Sequence, residues 1–462
     1  MEKIIRAGNF YEFVKCPRKV YLHFFGDPAK KTPISEFMKQ KMEEGKAYEA
    51  KIAARLKFAK PEEGVSYEEA FRQTVEFMKK GEKMIYQGVL IHKNLIGIPD
   101  LLEKKKGSSN LGSWHYEPID IKTGLSAKEE YAMQVCFYCY LLEKVQGFAP
   151  TKFRLLLGDG TEQELNTQDY FKRFAEDFAR IKEIASGKEE PVHLAGVCKE
   201  CQWHDFCLST AKKSKDLSLI YNISRENVEK LKRLGIKDLT DASKMDVEEL
   251  SKARGFGESS LTRWKLQAQS LLTKKAIRIS DYTFSPAELE VYFDVEDAEA
   301  DGEKVVYLFG MVIDGKYKYF LAEKPGDEKI AFKQFMDFFK DKENFKLYVY
   351  SGHEKAMLKK LYEKHGGDKR TFDKIIGNMV DLLSVVKSTA IFPVYSYTIK
   401  DVAKFLGFKW SAADAGGGQS MVWYERWIDT GKERYLKEIL RYNKEDCMAE
   451  AVIKDWIERK GK

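Results

Sequence analysis

The stretch VCKECQWHDFC, Val197 to Cys207, holds three cysteines in the spacing C-x2-C-x5-C. Three thiolates fall one ligand short of a tetrahedral metal site, so a fourth donor must come from elsewhere in the chain. A nearby histidine, His193 or His204, would close a local Cys3His zinc site. A distant cysteine would instead close an iron–sulfur cluster and draw remote segments together. The chain has seven cysteines, an odd number that fits metal binding in a reducing compartment better than a disulfide framework. Cys136 and Cys139 lie in the apolar helical run QVCFYCYLL and read as core. Cys447 belongs to the last region, and Cys16, in VKCPRKVYL, follows a short helical start and precedes a basic pair.

At 462 residues the chain is long enough for two to four domains. No apolar run reaches the length of a membrane span, and the opening MEKIIRAGNFYEFVKC lacks a signal-peptide core, so a cytoplasmic protein with no membrane partner is expected. The net charge of +7 is uneven: residues 1–60 carry 14 Lys/Arg against 7 Asp/Glu, and residues 211–280 carry 16 against 9. Two basic zones on an otherwise acidic chain suit a polyanionic partner. Three regions are expected. Residues 1–212 mix strands with helices, including a long helix around Glu36–Phe58. Residues 213–276 are short polar helices, and 285–462 begin a new α/β pattern in which VVYLFGMVIDG and KYKYFLAE flank an Asp-Gly turn.

In the first region GIPD, residues 97–100, reads as the end of a strand and IDIK, residues 119–122, as part of the next. Asp120 and Lys122 are two apart and share a strand face. Asp100 joins them if the strands pair. Two carboxylates and a lysine can hold a divalent cation that activates water. Downstream, Gln134 and Tyr138 share a helix face at i, i+4. The order G-I-P-D, I-D-I-K-T-G, Q-x3-Y resembles the PD-(D/E)XK core of RecB-family nucleases over roughly residues 1–210. By that resemblance Asp100 and Asp120 are metal ligands, Lys122 is the catalytic lysine, and Gln134 and Tyr138 are the helix motif that packs on the site and meets DNA. EEGKAYEAKI resembles the first family motif, with Tyr48 where many relatives have a metal-binding histidine and Glu49 as a contributor.

One cysteine near the N-terminus and C-x2-C-x5-C after the nuclease core resembles the iron–sulfur RecB-type nucleases, among them the AddB nuclease domain and CRISPR-associated nucleases that trim prespacers. The resemblance implies a [4Fe–4S] cluster on Cys16, Cys198, Cys201 and Cys207, chiefly a structural staple.

The middle region holds two helix-turn-helix units with glycines at their hairpins, Gly235 in the first and Gly255 and Gly257 in the second. Such turns can offer backbone N–H groups to phosphate, with Lys232, Arg254, Arg263 and Lys265 around them. The pair resembles tandem helix-hairpin-helix modules, which grip DNA backbone without reading sequence.

In VYFDVED, Asp294 and Glu296 project to one face of an apolar strand. Glu354 opens a helix after KLYVYS, Asp381 follows in MVDLL, and Tyr442 and Asp446 are i, i+4 neighbours in YNKEDC. Carboxylates so arranged can hold two divalent ions for phosphodiester hydrolysis. The pattern D-x-E, E, Y-x3-D resembles the DEDD-type 3′–5′ exonucleases of the ribonuclease H fold, in their YprB-like branch, over roughly 287–460. That resemblance implies Asp294, Glu296 and Asp446 as metal ligands, Tyr442 as the water-orienting group, Glu354 as the second-motif acid, and Asp381 as an auxiliary ligand or a support of the local fold.

The whole order resembles RecB-family nucleases with a C-terminal ribonuclease H-like domain. It implies an α/β multidomain chain: a PD-(D/E)XK restriction-endonuclease-like core, a helix-hairpin-helix region and a ribonuclease H-like domain. The expected activity is metal-dependent hydrolysis of DNA at single-stranded ends or flaps, with Mg²⁺ or Mn²⁺ at the oxygen-rich sites. The first site is the expected main cutter, and the second a further exonuclease or a degenerate nucleic-acid clamp. Two rival readings stand beside it, a non-catalytic DNA-binding scaffold for a helicase or integrase partner and an RNA-directed exonuclease. No G-x4-G-K-[ST] occurs, so any unwinding would come from a partner.

Overall fold

Short strands and helices alternate through the first part of the chain because turn residues interrupt every apolar run. In this computed structural model, which describes residues 2–252, 255–300, 303–411 and 416–459, they form the first of two compact units, Met1–Thr210 and Ala211–Lys462. In order, the first unit's elements are β1 (Ile5–Arg6), α1 (Ala7–Lys15), α2 (Pro17–Phe25), α3 (Glu36–Ala53), α4 (Tyr67–Lys80), β2 (Met84–Tyr86), β3 (Leu90–His92), β4 (Leu95–Gly97), β5 (Leu101–Ser109), β6 (Gly112–Ile121), α5 (Glu129–Gln146), β7 (Lys152–Leu156), β8 (Glu162–Asn166), α6 (Phe171–Ala185) and α7 (His204–Ser214). The main sheet has the order β2-β5-β6-β7-β8, with β6 and β7 parallel. A small sheet runs β1-β4-β3. Helix α5 is the hub of the core. Met133, Phe137, Leu141 and Leu142 are buried, and Phe10 of α1 stacks on Phe137 at 4.7 Å and on Phe174 of α6 at 5.2 Å.

Two local expectations are corrected. GIPD does not end a strand with its aspartate: β4 stops at Gly97, and Asp100 stands immediately before β5. The long helix ends at Ala53 rather than Phe58, because the main chain of Ala59 is drawn to the sheet edge, its N–H donating to Met84 O and its carbonyl accepting from Tyr86 N.

The second unit opens with α8 (Arg225–Arg233), α9 (Leu239–Lys244), α10 (Val247–Ser251) and α11 (Glu258–Thr273). There follow β9 (Ile277–Arg278), β10 (Leu289–Ala300), β11 (Glu303–Ile313), β12 (Lys316–Leu321), α12 (Glu328–Phe339), β13 (Phe345–Val349), α13 (His353–His365), α14 (Lys369–Asn378), β14 (Met379–Asp381), α15 (Leu382–Thr389), β15 (Ala390–Ile391), α16 (Ile399–Phe405), α17 (Gly417–Thr430) and α18 (Glu433–Glu458). Its sheet has the order β12-β11-β10-β13-β14. β10 is antiparallel to β11 and parallel to β13. The β11–β12 hairpin turns on Asp314 and Gly315 at φ +48° and +72°, the left-handed pair that a two-residue hairpin needs.

Strand β10 sets the geometry of this unit. Phe293 packs on one face, stacking on Phe335 of α12 at 4.8 Å, and the two-residue period turns Asp294 to the opposite face, where Asn443 of α18 meets it. On α18 the buried positions Ile439, Tyr442, Asn443, Asp446, Glu450 and Ile453 follow helical spacing, but four of them are polar. Polar side chains inside a stripe that would ordinarily be apolar must find partners or a ligand.

Candidate functional site

In the first unit, pairing of β5 with β6 sets Leu101 opposite Ile119 and so brings Asp100 beside the end of β6. The Asp100 carboxylate accepts the Ile121 N–H at 2.6 Å. Asp120 is buried, with Lys122 Nζ 2.5 Å from its Oδ2, while its Oδ1 has no hydrogen-bond partner among the described residues. The ammonium of Lys122 also donates to Gln134 Oε1 at 3.2 Å, and Gln134 Nε2 donates to Tyr138 OH at 3.0 Å. Burial and then the Asp120 charge push the Asp100 carboxyl well above its ordinary range, with Lys122 opposing. Burial works against the Lys122 charge, but Asp120 and Asp100 outweigh it and its pKa rises. Glu49 contributes to the field at Asp100 and accepts from Gln87 Nε2 at 2.9 Å. Tyr48 turns aside, its hydroxyl donating to Leu157 O. The structure thus brings Glu49, Asp100, Asp120, Lys122, Gln134 and Tyr138 together. An orphaned buried carboxylate oxygen in an acid-rich pocket fits a divalent cation.

In the second unit, Asp294 and Glu296 of β10 and Asp446 of α18 each offer an oxygen, and these oxygens lie within 4.8 Å of one another. Trp410 Nε1 donates to Asp446 Oδ1 at 2.7 Å. Burial and then Asp446 raise Glu296 to about 8. Burial raises Asp446 to about 6 against the hydrogen bond from Trp410, and Glu354 to about 7. Glu354 is buried at the start of α13, and its Oε2 has no hydrogen-bond partner among the described residues. Burial, then Glu296, Asp446 and Glu354, drive Asp294 well up. Such a set of buried acids is held together by protons or by cations. Tyr442 lies on the same face of α18, its phenol pushed far up by burial and by Asp446. Asp381 caps α15, accepting from Leu383 N at 2.9 Å and from Ser384 Oγ at 2.6 Å, and its charge adds to the field that raises Glu354.

Sequence reasoning missed three residues of this cage. Asn443 donates to Asp294 Oδ2 at 2.8 Å. Tyr317 OH donates to Asn443 Oδ1 at 2.8 Å. Glu450, one turn beyond Asp446, accepts the Phe293 N–H at 2.9 Å. The spacing Tyr442, Asp446, Glu450 was the available signal for the last.

The cysteine stretch folds as a 3₁₀ turn, Gly196–Glu200, leading into α7. Cys16, Cys198, Cys201 and Cys207 are half-buried. Burial pushes the Cys207 thiol up to about 11. The Arg18 guanidinium opposes this, and the Cys16 and Cys201 thiols add to it, which sets Arg18, Cys16 and Cys201 near Cys207. Cys198 Sγ accepts from Ala195 N at 3.4 Å. His204 pairs with Asp205 at 3.4 Å. Cys136, Cys139 and Cys447 are buried core.

Around the helical turns, Gly235 and Gly255 take φ of +86° and +107°, and Gly257 caps α11. Lys232 pairs with Asp216 at 3.3 Å. Arg263 Nη1 donates to Lys387 O at 3.0 Å, so this side chain ties α11 to α15 instead of standing free. Lys265 is half-buried, and Arg254 lies outside the described residues.

A strand-borne carboxylate pair with a lysine, and separately an acid triad between a central strand and a packing helix, define the class of metal-dependent phosphodiester hydrolases. Comparison with known families agrees: residues 18–208 match the PD-(D/E)XK nuclease superfamily, and residues 291–458 match the RNase H superfamily. PD-(D/E)XK nucleases use divalent metal ions. No curated protein matches the chain. No helix among the described residues is long and apolar enough to cross a membrane.

Proposed function

We propose that the chain is a DNA nuclease of the cytoplasm, using Mg²⁺ or Mn²⁺ at two sites to hydrolyse phosphodiester bonds at single-stranded ends or flaps. The convergence of Asp294, Glu296 and Asp446 within 4.8 Å is the observation that carries the reading, and the Asp100–Asp120–Lys122 group gives a second site of the same chemistry. Asp100, Asp120 and Glu49 would hold the cation of the first site; Asp294, Glu296, Asp446 and Glu354 would hold that of the second. When bound, the cation supplies Lewis-acid and water-activating chemistry. Lys122, steered by Asp120 and Gln134, holds an ammonium where charge builds on a transferring phosphate. Tyr442, kept neutral by burial and the acids around it, presents an O–H to orient the attacking water. The first site is the main cutter and the second a 3′–5′ exonuclease.

Cys16, Cys198, Cys201 and Cys207 are the ligands of a [4Fe–4S] staple in the first unit; the proximity of Cys16, Cys201 and Cys207 supports it. The hairpin glycines Gly235, Gly255 and Gly257, with Lys232 and Lys265, act as a helix-hairpin-helix grip on the phosphate backbone.

The test compares wild type, Lys122→Ala and Asp294→Ala on end-labelled single-stranded DNA and RNA with Mn²⁺ or Mg²⁺. Wild type should cut DNA, Lys122→Ala should lose about 10²-fold or more of the main activity, and Asp294→Ala should lose the 3′–5′ trimming. A wild type that cuts nothing with either ion makes the chain a DNA-binding scaffold for a helicase or integrase. Cutting of RNA alone makes it an RNA-directed exonuclease.

A further inference from the structure

Asn443 is fully buried in the middle of α18, where an amide without partners would be strongly unfavourable. Its partners are unusual for a structural asparagine. The Nδ2 group donates to Asp294 Oδ2 at 2.8 Å and to Asp294 O at 3.2 Å. Its Oδ1 accepts from the Tyr317 hydroxyl at 2.8 Å. The backbone carbonyl of Asp294 only accepts hydrogen bonds, so the NH₂ must face Asp294. The phenol then donates to the carbonyl end and selects that orientation of the amide over its flip. The backbone is shaped for the contact as well. Gly310 on β11 stands opposite Asp294 in the strand register, and a Cβ there would meet Asn443 Oδ1 at 1.5 Å. Only glycine leaves the slot that the amide occupies.

We propose that Tyr317, Asn443 and the Gly310 slot form a positioning device that fixes the carboxylate of Asp294 for a divalent cation. The proposal rests on the reading of the Asp294–Glu296–Asp446 cage as a cation site, and deepens it. Asp294 sits on a strand and Asp446 on a helix, so their relative placement depends on a link between the two elements. Asn443, three residues before Asp446 on that helix, supplies the link directly at the ligand. Removing a side chain that orients a metal ligand lowers metal affinity by about 10- to 100-fold, whereas a side chain that merely fills the core changes stability and leaves affinity alone.

The experiment measures Mn²⁺ binding by the paramagnetic resonance of the free ion, on the full chain carrying Asp120→Asn to remove a ligand of the first site. The melting temperature in chelator is recorded in parallel. In that parent, binding should vanish with Asp294→Asn. Asn443→Ala should weaken it by about 10- to 100-fold. Gly310→Ala should reproduce much of that loss with Asn443 and Tyr317 both present, because the new methyl displaces the amide. Tyr317→Phe should weaken binding by several-fold with little change in melting temperature. If Asn443→Ala or Gly310→Ala fails to fold, Tyr317→Phe decides, since it removes a single oxygen. Unchanged Mn²⁺ affinity in Tyr317→Phe and in every folded Asn443 or Gly310 variant overturns the positioning role and leaves the cation site standing. A parent with no Asp294-dependent binding overturns both, and does so before any positioning variant is read.

Discussion

Glu296, Glu354 and Asp446 sit in the second unit with carboxyls raised by burial to about 8, 7 and 6. A carboxyl whose folded pKa lies above its unfolded value binds its proton more tightly in the folded chain. Its contribution to stability therefore falls as pH rises from the unfolded value, 4.5 for Glu, through the folded one. For the metal-free chain this window runs from the ordinary carboxylate range up to about 8. A divalent cation needs the ionised carboxylates, so its stabilising effect should grow across the same window. Thermal melts in chelator and in Mn²⁺, at about pH 5.5 and about pH 8, test this. The Mn²⁺-induced gain should be larger at the higher pH by on the order of 2 kcal/mol, a few degrees in Tm. Glu296→Gln should shrink that difference, and an equal gain at both pH values would contradict the cage.

At the scale of elements, Asp381 separates a helix cap from a metal ligand. Its carboxylate joins β14 to α15 by accepting the N–H groups of Leu383 and Ser384. Asp381→Ala should cost about 1 kcal/mol in unfolding free energy, Asp381→Asn much less, and neither should alter Mn²⁺ affinity. A large loss of Mn²⁺ affinity in both would return Asp381 to the ligand set. The contrast with Asp294 shows what the amino-acid pattern made legible. Charged residues two apart on a strand, Asp294 with Glu296 and Asp120 with Lys122, are readable because a period of two forces both side chains to one face. The same held for Tyr442 and Asp446 at helical spacing. The GIPD motif points to Asp100 but to the wrong strand, because β4 is only three residues long and the aspartate belongs to the approach to β5. Asn443, Tyr317 and Gly310 were not readable. Their meeting depends on the register of β10 with β11 and on where α18 crosses them, which no local spacing encodes.

For the whole molecule, the largest single constraint is the proposed closure between Cys16 and the cysteines around Cys207. A clip that ties two points this far apart removes on the order of 5 kcal/mol of loop entropy from the unfolded chain. This is comparable to the full stability of an ordinary domain. The effect is confined to the first unit, which contains all four thiols. Cys16→Ser should therefore remove brown visible absorbance, lower the unfolding midpoint of the first unit and raise its protease sensitivity. Asp294-dependent Mn²⁺ binding by the second unit, with its own core around Phe293, Phe309 and Phe335, should persist. The comparison variant is Cys136→Ser, in the buried face of α5: it should destabilise through burial of a hydroxyl, by about 1–3 kcal/mol, without touching the absorbance. A colourless, zinc-loaded wild type in which Cys16→Ser changes nothing would shift the fourth ligand to His193 or His204. The staple would then be local, and the first unit would owe its stability to the α5 core alone.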